Sequence, residues 1–114
     1  MKIEEFDQIV DEVIETIRTS LKEKAKEYMR NNDPLHNFNV GARKKNCIRE
    51  YVIEGMALKH EISIEDMIND IDKGIIPTKQ MVDEKFKDSI NYRILTKASI
   101  IDRINTINNH EVIN

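Results

Sequence analysis

Apolar residues recur every three or four positions along most of this chain. From Ile3 through Phe6, Val10, Val13, Ile17, Leu21 and Ala25 to Tyr28 they draw one stripe, which predicts an amphipathic helix over 3–30. At 1.5 Å per residue that rod is about 40 Å long, more than one short partner covers. Asn31-Asn32-Asp33-Pro34 ends it, because proline biases the residue before it away from helical geometry. Leu35-His36-Asn37-Phe38-Asn39 follows as a predicted loop with unusual content: an imidazole, amides and a large aromatic. Phe38 either plugs the core, with His36 and Asn37 supporting the turn, or the loop faces a ligand.

A short helix is predicted over 39–45 and a third over 48–72, with apolar positions at Ile53, Met56, Ala57, Ile64, Met67, Ile68 and Ile71. Asp72-Lys73-Gly74-Ile75-Ile76-Pro77 stops it, Gly74 being suited to a helix C-terminus. Thr78 is a fair N-cap for the last helix, predicted to run to Asn108. Its stripe is Val82, Phe86, Ile90, Ile94, Ala98, Ile101 and Ile104. Residues 109–114 are polar and expected to fray. The reading is one all-α domain over 1–108, a bundle of three long helices and a short one. Its stripes exceed what one compact monomer buries, so a homo-oligomer, a dimer or larger, is expected.

Composition narrows the function without naming it. The chain has 114 residues, with 18 basic and 21 acidic side chains and a net charge of −3, so no overall field draws it to nucleic acid. Arg43, Lys44, Lys45 and Arg49 form a basic cluster, but without interleaved aromatics nucleic-acid binding is a weak option. Charge along the first helix suits its dipole: residues 1–15 hold six acids and one lysine, while 18–30 hold five basic residues and two acids. That basic end is either a solvated terminus or a phosphate-binding face. No stretch of eighteen apolar residues occurs and the first residues lack a signal peptide's apolar core, so the expected location is cytoplasmic, without a membrane. Cys47 is the only cysteine, which removes internal disulfides and cysteine-based zinc sites. It reads as a small packed residue, the alternative being a thiol activated by its basic flank.

Polar residues near the stripes carry the candidate chemistry. Glu84, Asp88 and Asn91 stand at i, i+4 and i+7 on one face of the last helix. Two carboxylates one turn apart are tolerated on a solvated surface or stabilised by a shared Mg²⁺. The third helix supplies Glu54, Glu61, Glu65, Asp66 and Asp70. Glu61 and Glu65 facing Glu84 and Asp88 would make a metal-binding bundle core; the rival is a solvated acidic face. His60 lies near the apolar stripe, as a hydrogen-bonded core residue or a ligand, and Lys59 beside it pairs with an acid or holds phosphate as a point charge. Gly55 costs about 1 kcal/mol of helix propensity, which suggests close helix packing or room for a ligand. There is no phosphate-binding glycine loop, no HExxH, no EF-hand loop and no Ser/His/Asp ordering worth defending.

Tyr28 and Asp33, then His36-Asn37-Phe38, then Gly55-Met56-Ala57-Leu58-Lys59-His60 with Ser63 and Asp66, then Glu84-Lys85 with Asp88, Asn91 and Tyr92 resemble small helical proteins of phages and prophages. Those in turn are similar to the MazG-like all-α nucleotide pyrophosphohydrolases. The resemblance covers 22–96. It implies Mg²⁺-dependent hydrolysis (Mn²⁺ being the substitute ion) of a dNTP-like nucleoside triphosphate to monophosphate and pyrophosphate. By the resemblance Glu84 and Asp88 are one metal-holding pair, and Glu61 and Glu65 are the other, acting in catalysis with Lys59. His36, Asn37, Phe38, Lys59, His60, Asn91 and Tyr92 would touch the nucleotide. Both pairs are spaced i, i+4 where the superfamily signature has i, i+3; on a helix both spacings present to one metal. The alternative function is a non-catalytic phage accessory protein that sequesters a nucleotide or inhibits a host protein.

Overall fold

The stop signals act through local hydrogen bonds, and these cut the chain into four helices. A computed structural model describes residues 1–113, the side chains of Tyr28 and of 110–113 apart. The helices are α1 (Ile3–Tyr28), α2 (His36–Lys45), α3 (Arg49–Asp72) and α4 (Lys79–Ile113). No strand occurs among the described residues, only an isolated bridge between Arg30 and Asp33. No helix there is long and apolar enough to cross a membrane.

The stop after α3 is a complete Schellman motif. Gly74 sits at φ 86°, its N–H donates to the Ile71 carbonyl at 2.9 Å, and Ile75 N–H donates to the Asp70 carbonyl at 2.9 Å. Thr78 caps α4 as expected, its Oγ1 accepting from Met81 N–H at 3.2 Å. Asn46 ends α2 in the left-handed region, which asparagine tolerates better than most residues.

The predicted loop at 35–39 is instead the start of α2. Asp33 makes the difference: one carboxylate oxygen accepts from Leu35 N–H at 2.9 Å, the other from Asn39 Nδ2 at 3.2 Å, and its carbonyl accepts from His36 N–H at 3.2 Å. An aspartate just outside a helix satisfies amides that would otherwise be orphaned. The helix therefore begins three residues before the expected start at Asn39. The expected tail at 109–114 falls at the end of α4, which continues to Ile113; Asn114 lies outside the described residues.

α3 runs antiparallel to α4, as Lys85–Ser63, Arg93–Glu54 and Arg103–Glu50 show in order. α2 folds back on α3, and Gly41 permits the approach: a Cβ there would lie 3.0 Å from Val52 Cγ1. The close approach expected at Gly55 is absent, since a Cβ at Gly55 meets nothing within 4 Å. Leu35, Phe38, Val52, Ile53, Ala57, Tyr92 and Leu95 form the core, with Cys47 packed at its edge. Cys47 is thus the packed thiol of the simpler reading.

Two predicted stripes are not the buried faces. On α4 the buried residues are Asn91, Tyr92, Leu95 and Ser99, whereas Phe86, Ile94, Ala98, Ile101 and Ile104 are exposed. Among the described side chains of α1 only Ile17 is buried, and every residue from 1 to 16 is exposed. The result is elongated, 58 × 32 × 24 Å, with a radius of gyration of 17.4 Å against about 13 Å for a compact domain of this length.

Candidate functional site

The polar face predicted on α4 becomes a seam where α1, α3 and α4 meet. Asn91 is 1% exposed, and its amide is satisfied by one serine of α1. Ser20 Oγ donates to Asn91 Oδ1 at 3.2 Å and accepts from Nδ2 at 3.0 Å. One turn earlier, Asp88 faces two bases on different helices: Lys24 Nζ of α1 at 3.4 Å and His60 Nδ1 of α3 at 3.7 Å. The latter distance is too long for a hydrogen bond, and it is an ion pair only when the imidazole is protonated. The Tyr92 ring stacks on the His60 imidazole, centroids 5.2 Å apart and planes 23° off parallel. Lys24 Nζ stands 6.0 Å from the Tyr92 centroid, at the outer range of a cation–π contact.

Burial is the main influence on His60 and pulls its pKa below the ordinary imidazole value; Asp88 opposes this, while Lys59 and Lys24 add to it. The imidazole is therefore mainly neutral at pH 7. It keeps a ring nitrogen able to accept or donate according to tautomer. Lys24, His60 and Asp88 have side chains 27%, 19% and 28% exposed, so a solute can reach all three. A cation, a neutral imidazole, a carboxylate and a buried aromatic then line one accessible seam.

The other predicted residues scatter. His36 and Asn37 lie in the first turn of α2, where Asn37 Nδ2 donates weakly to the Glu27 carbonyl at 3.5 Å. Phe38 is 0% exposed and belongs to the core, so it plugs rather than faces a ligand. Lys59 is exposed. Lys85 donates to Ser63 Oγ at 2.5 Å and to its carbonyl at 3.2 Å, clamping α4 to α3. Arg49 of the basic cluster is also structural, bonded to Asn39, Ser99 and Asp102.

The four carboxylates expected to share a metal do not converge within the protomer. Glu61 pairs with Arg93 at 3.8 Å beside the shorter Arg93–Glu54 pair at 2.9 Å. Arg93 is five residues beyond Asp88, about 140° further around α4 at 100° per residue. Glu54 and Glu61 therefore sit on the opposite edge of the α3–α4 seam from Asp88. Glu65 is exposed on α3, and Glu84 is exposed and accepts from Gln80 at 3.4 Å. Among the described residues no group of three or more His, Cys, Asp or Glu side chains can hold a metal ion.

Sequence reasoning found Asp88, His60, Asn91 and Tyr92 and missed Ser20. Nothing in the linear pattern marks a serine 71 residues from its partner. Lys24 was visible only as part of the basic end of α1. An apolar groove of about 710 Å³ lies elsewhere, between α1 and α4, lined by Ile9, Val13, Val82, Phe86 and Ile90. Polar seam and apolar groove are separate features of the same two helices.

Fold and site together define an all-α bundle with a partly open polar seam. No protein-family model, curated protein or solved structure matches this chain.

Proposed function

We propose that this protein is a self-associating helical module that binds a nucleoside phosphate in the α1–α3–α4 seam. The carrying observation is the triad at Asp88, a carboxylate with Lys24 at 3.4 Å and His60 at 3.7 Å in a partly exposed position. The lysine offers a point charge for phosphate, and the neutral imidazole a partner for a base or sugar. The resemblance of Lys59-His60 and Glu84-Lys85…Asp88…Asn91-Tyr92 to nucleotide pyrophosphohydrolases points the same way. Binding is favoured over turnover because Glu61 pairs with Arg93, across the seam from Asp88.

Hydrolysis to monophosphate and pyrophosphate is the second reading. Its support is Glu84 and Asp88, one turn apart on α4, the half of the expected acidic set that stays together. One experiment separates the two. The eight common NTPs and dNTPs are titrated into the protein with and without Mg²⁺, following the His60 ring protons by NMR, and the mixtures are then resolved by ion exchange. A shift at His60 with intact triphosphate supports the binder, and Lys24→Met should weaken it about 10-fold, or 1.4 kcal/mol. Monophosphate and pyrophosphate would establish the hydrolase. An unmoved His60 with every nucleotide refutes both and favours action on a host protein.

A further inference from the structure

The most regular apolar stripes in the sequence are the ones the protomer leaves uncovered. Phe86, Ile94, Ile101 and Ile104 on α4 are 41%, 38%, 45% and 51% exposed. They continue along the helix from the apolar groove in which Phe86 and Ile90 face Val13 and Ile17 of α1. On α1 the line that buries Ile17 runs on through Val13, Val10, Phe6 and Ile3, which are 37%, 40%, 52% and 66% exposed. Such residues are spread singly over ordinary surfaces; here they form two stripes bordering one groove.

From this we infer that the α1–α4 face is the interface with a second copy of this chain. The first argument is area. The protomer exposes 8691 Å², whereas a folded monomer of 13.4 kDa exposes about 6,500 Å². The excess is about 2,200 Å² per chain. Hidden between two copies it makes an interface of about 4,400 Å², within the range of obligate homodimers.

The second argument is charge, and it selects the occupant. Residues 1–15 carry six acids and one lysine, so two such segments laid side by side would repel. α4 carries Lys79, Lys87 and Lys97 for this match, besides Lys85, Arg93 and Arg103, which are engaged by Ser63, Glu54 and Glu50 of α3. Lys79 already reaches Glu12 at 3.3 Å within the protomer. A two-fold pairing that lays each α1 on the partner's α4 covers both stripes and sets acid against base twice. One face carries both halves of this match, as an isologous contact demands. The inference gives the self-association in the proposed function its surface. It is answered by mass, whether or not any nucleotide binds.

The test is sedimentation equilibrium of the whole chain between 1 and 100 µM, with hydrogen exchange at both ends of that range. The expected mass is twice 13.4 kDa, with amides of 3–16 exchanging more slowly at the higher concentration. Phe86→Asp and Ile101→Asp, neither in the core, should each weaken association at least 100-fold with unchanged helical circular dichroism. Leu58→Asp, on the outer side of α3 and 53% exposed, should leave it intact. A monomer at 100 µM overturns the inference, and so does a dimer that survives both α4 changes but parts with Leu58→Asp. The exchange of 3–16 needs no variant, so it decides the matter even if a substituted chain fails to fold: concentration-independent rates in a dimer also overturn it.

Discussion

Arg49 joins three helices, and its removal has a cost that the geometry lets one work out. From the first turn of α3 it donates to Ser99 Oγ at 2.6 Å, the Ser99 carbonyl at 2.8 Å, Asp102 at 2.8 Å and Asn39 Oδ1 of α2 at 3.2 Å. Ser99 is 0% exposed. Arg49→Met keeps much of the apolar stem but strips a donor from that buried hydroxyl, a loss of about 1–3 kcal/mol. Asp102 is 55% exposed, so its pair adds at most about 1 kcal/mol. The expected total is about 2–3 kcal/mol, near 10 °C in Tm at about 4 °C per kcal/mol. Urea and thermal unfolding at one fixed protein concentration measure it, because association would otherwise move the midpoint. Arg49→Met with Ser99→Ala should cost less than the sum of the two, since each single change loses the same Arg49–Ser99 bond. A loss under about 0.5 kcal/mol for Arg49→Met, or strict additivity in the double variant, would refute the reasoning. It would return Arg49 to the exposed basic cluster as a candidate phosphate ligand.

The glycines give an opposed pair. Gly55→Ala places a Cβ in open space and should stabilise by about 1 kcal/mol, whereas Gly41→Ala presses on Val52 and should gain distinctly less, both read from urea midpoints. Acid should loosen the α3–α4 clasp. The Arg103 guanidinium bonded to Glu50 lowers that carboxyl to a pKa of about 2, so the stability it contributes is complete above the unfolded value and is lost as pH falls from about 4.5 towards 2. With Glu50→Gln the fall in Tm over that window should be shallower. Burial lowers His60 in the folded state, so its stability contribution holds above the unfolded imidazole pKa and fades as pH falls through the folded value. Asp88→Asn removes the charge that raises that pKa and should shift the His60 NMR titration further down; an upward shift would sever the link between the two groups.

Helix content and order, and the ends at Gly74 and Thr78, were legible along the chain because each is decided within a few residues. The stop at Gly74 and the cap at Thr78 involve bonds spanning three to five residues, so the residue types announce them. Asp33 was legible as part of a turn, but not as the anchor that draws His36, Asn37 and Phe38 into a helix, because its two carboxylate oxygens reach in different directions. Of the candidate site, Asp88, Asn91 and Tyr92 were visible as polar or aromatic positions on one helix, and His60 as an imidazole near a stripe.

Tertiary structure decided which faces meet. A hydrophobic stripe says that a helix face seeks cover, not which cover it finds. α4 carries an apolar line through Phe86, Ile94 and Ile101 and a mixed line through Asn91, Tyr92, Leu95 and Ser99, and the protomer buries the second. It does so because Arg49 of α3 and Ser20 of α1 give that line's polar groups partners, leaving no buried side-chain nitrogen or oxygen unsatisfied among the described residues. The same angular arithmetic put Glu61 and Asp88 on opposite edges of the seam. Spacing within one helix is set by 3.6 residues per turn, whereas the rotation of one helix against another is set by what packs between them.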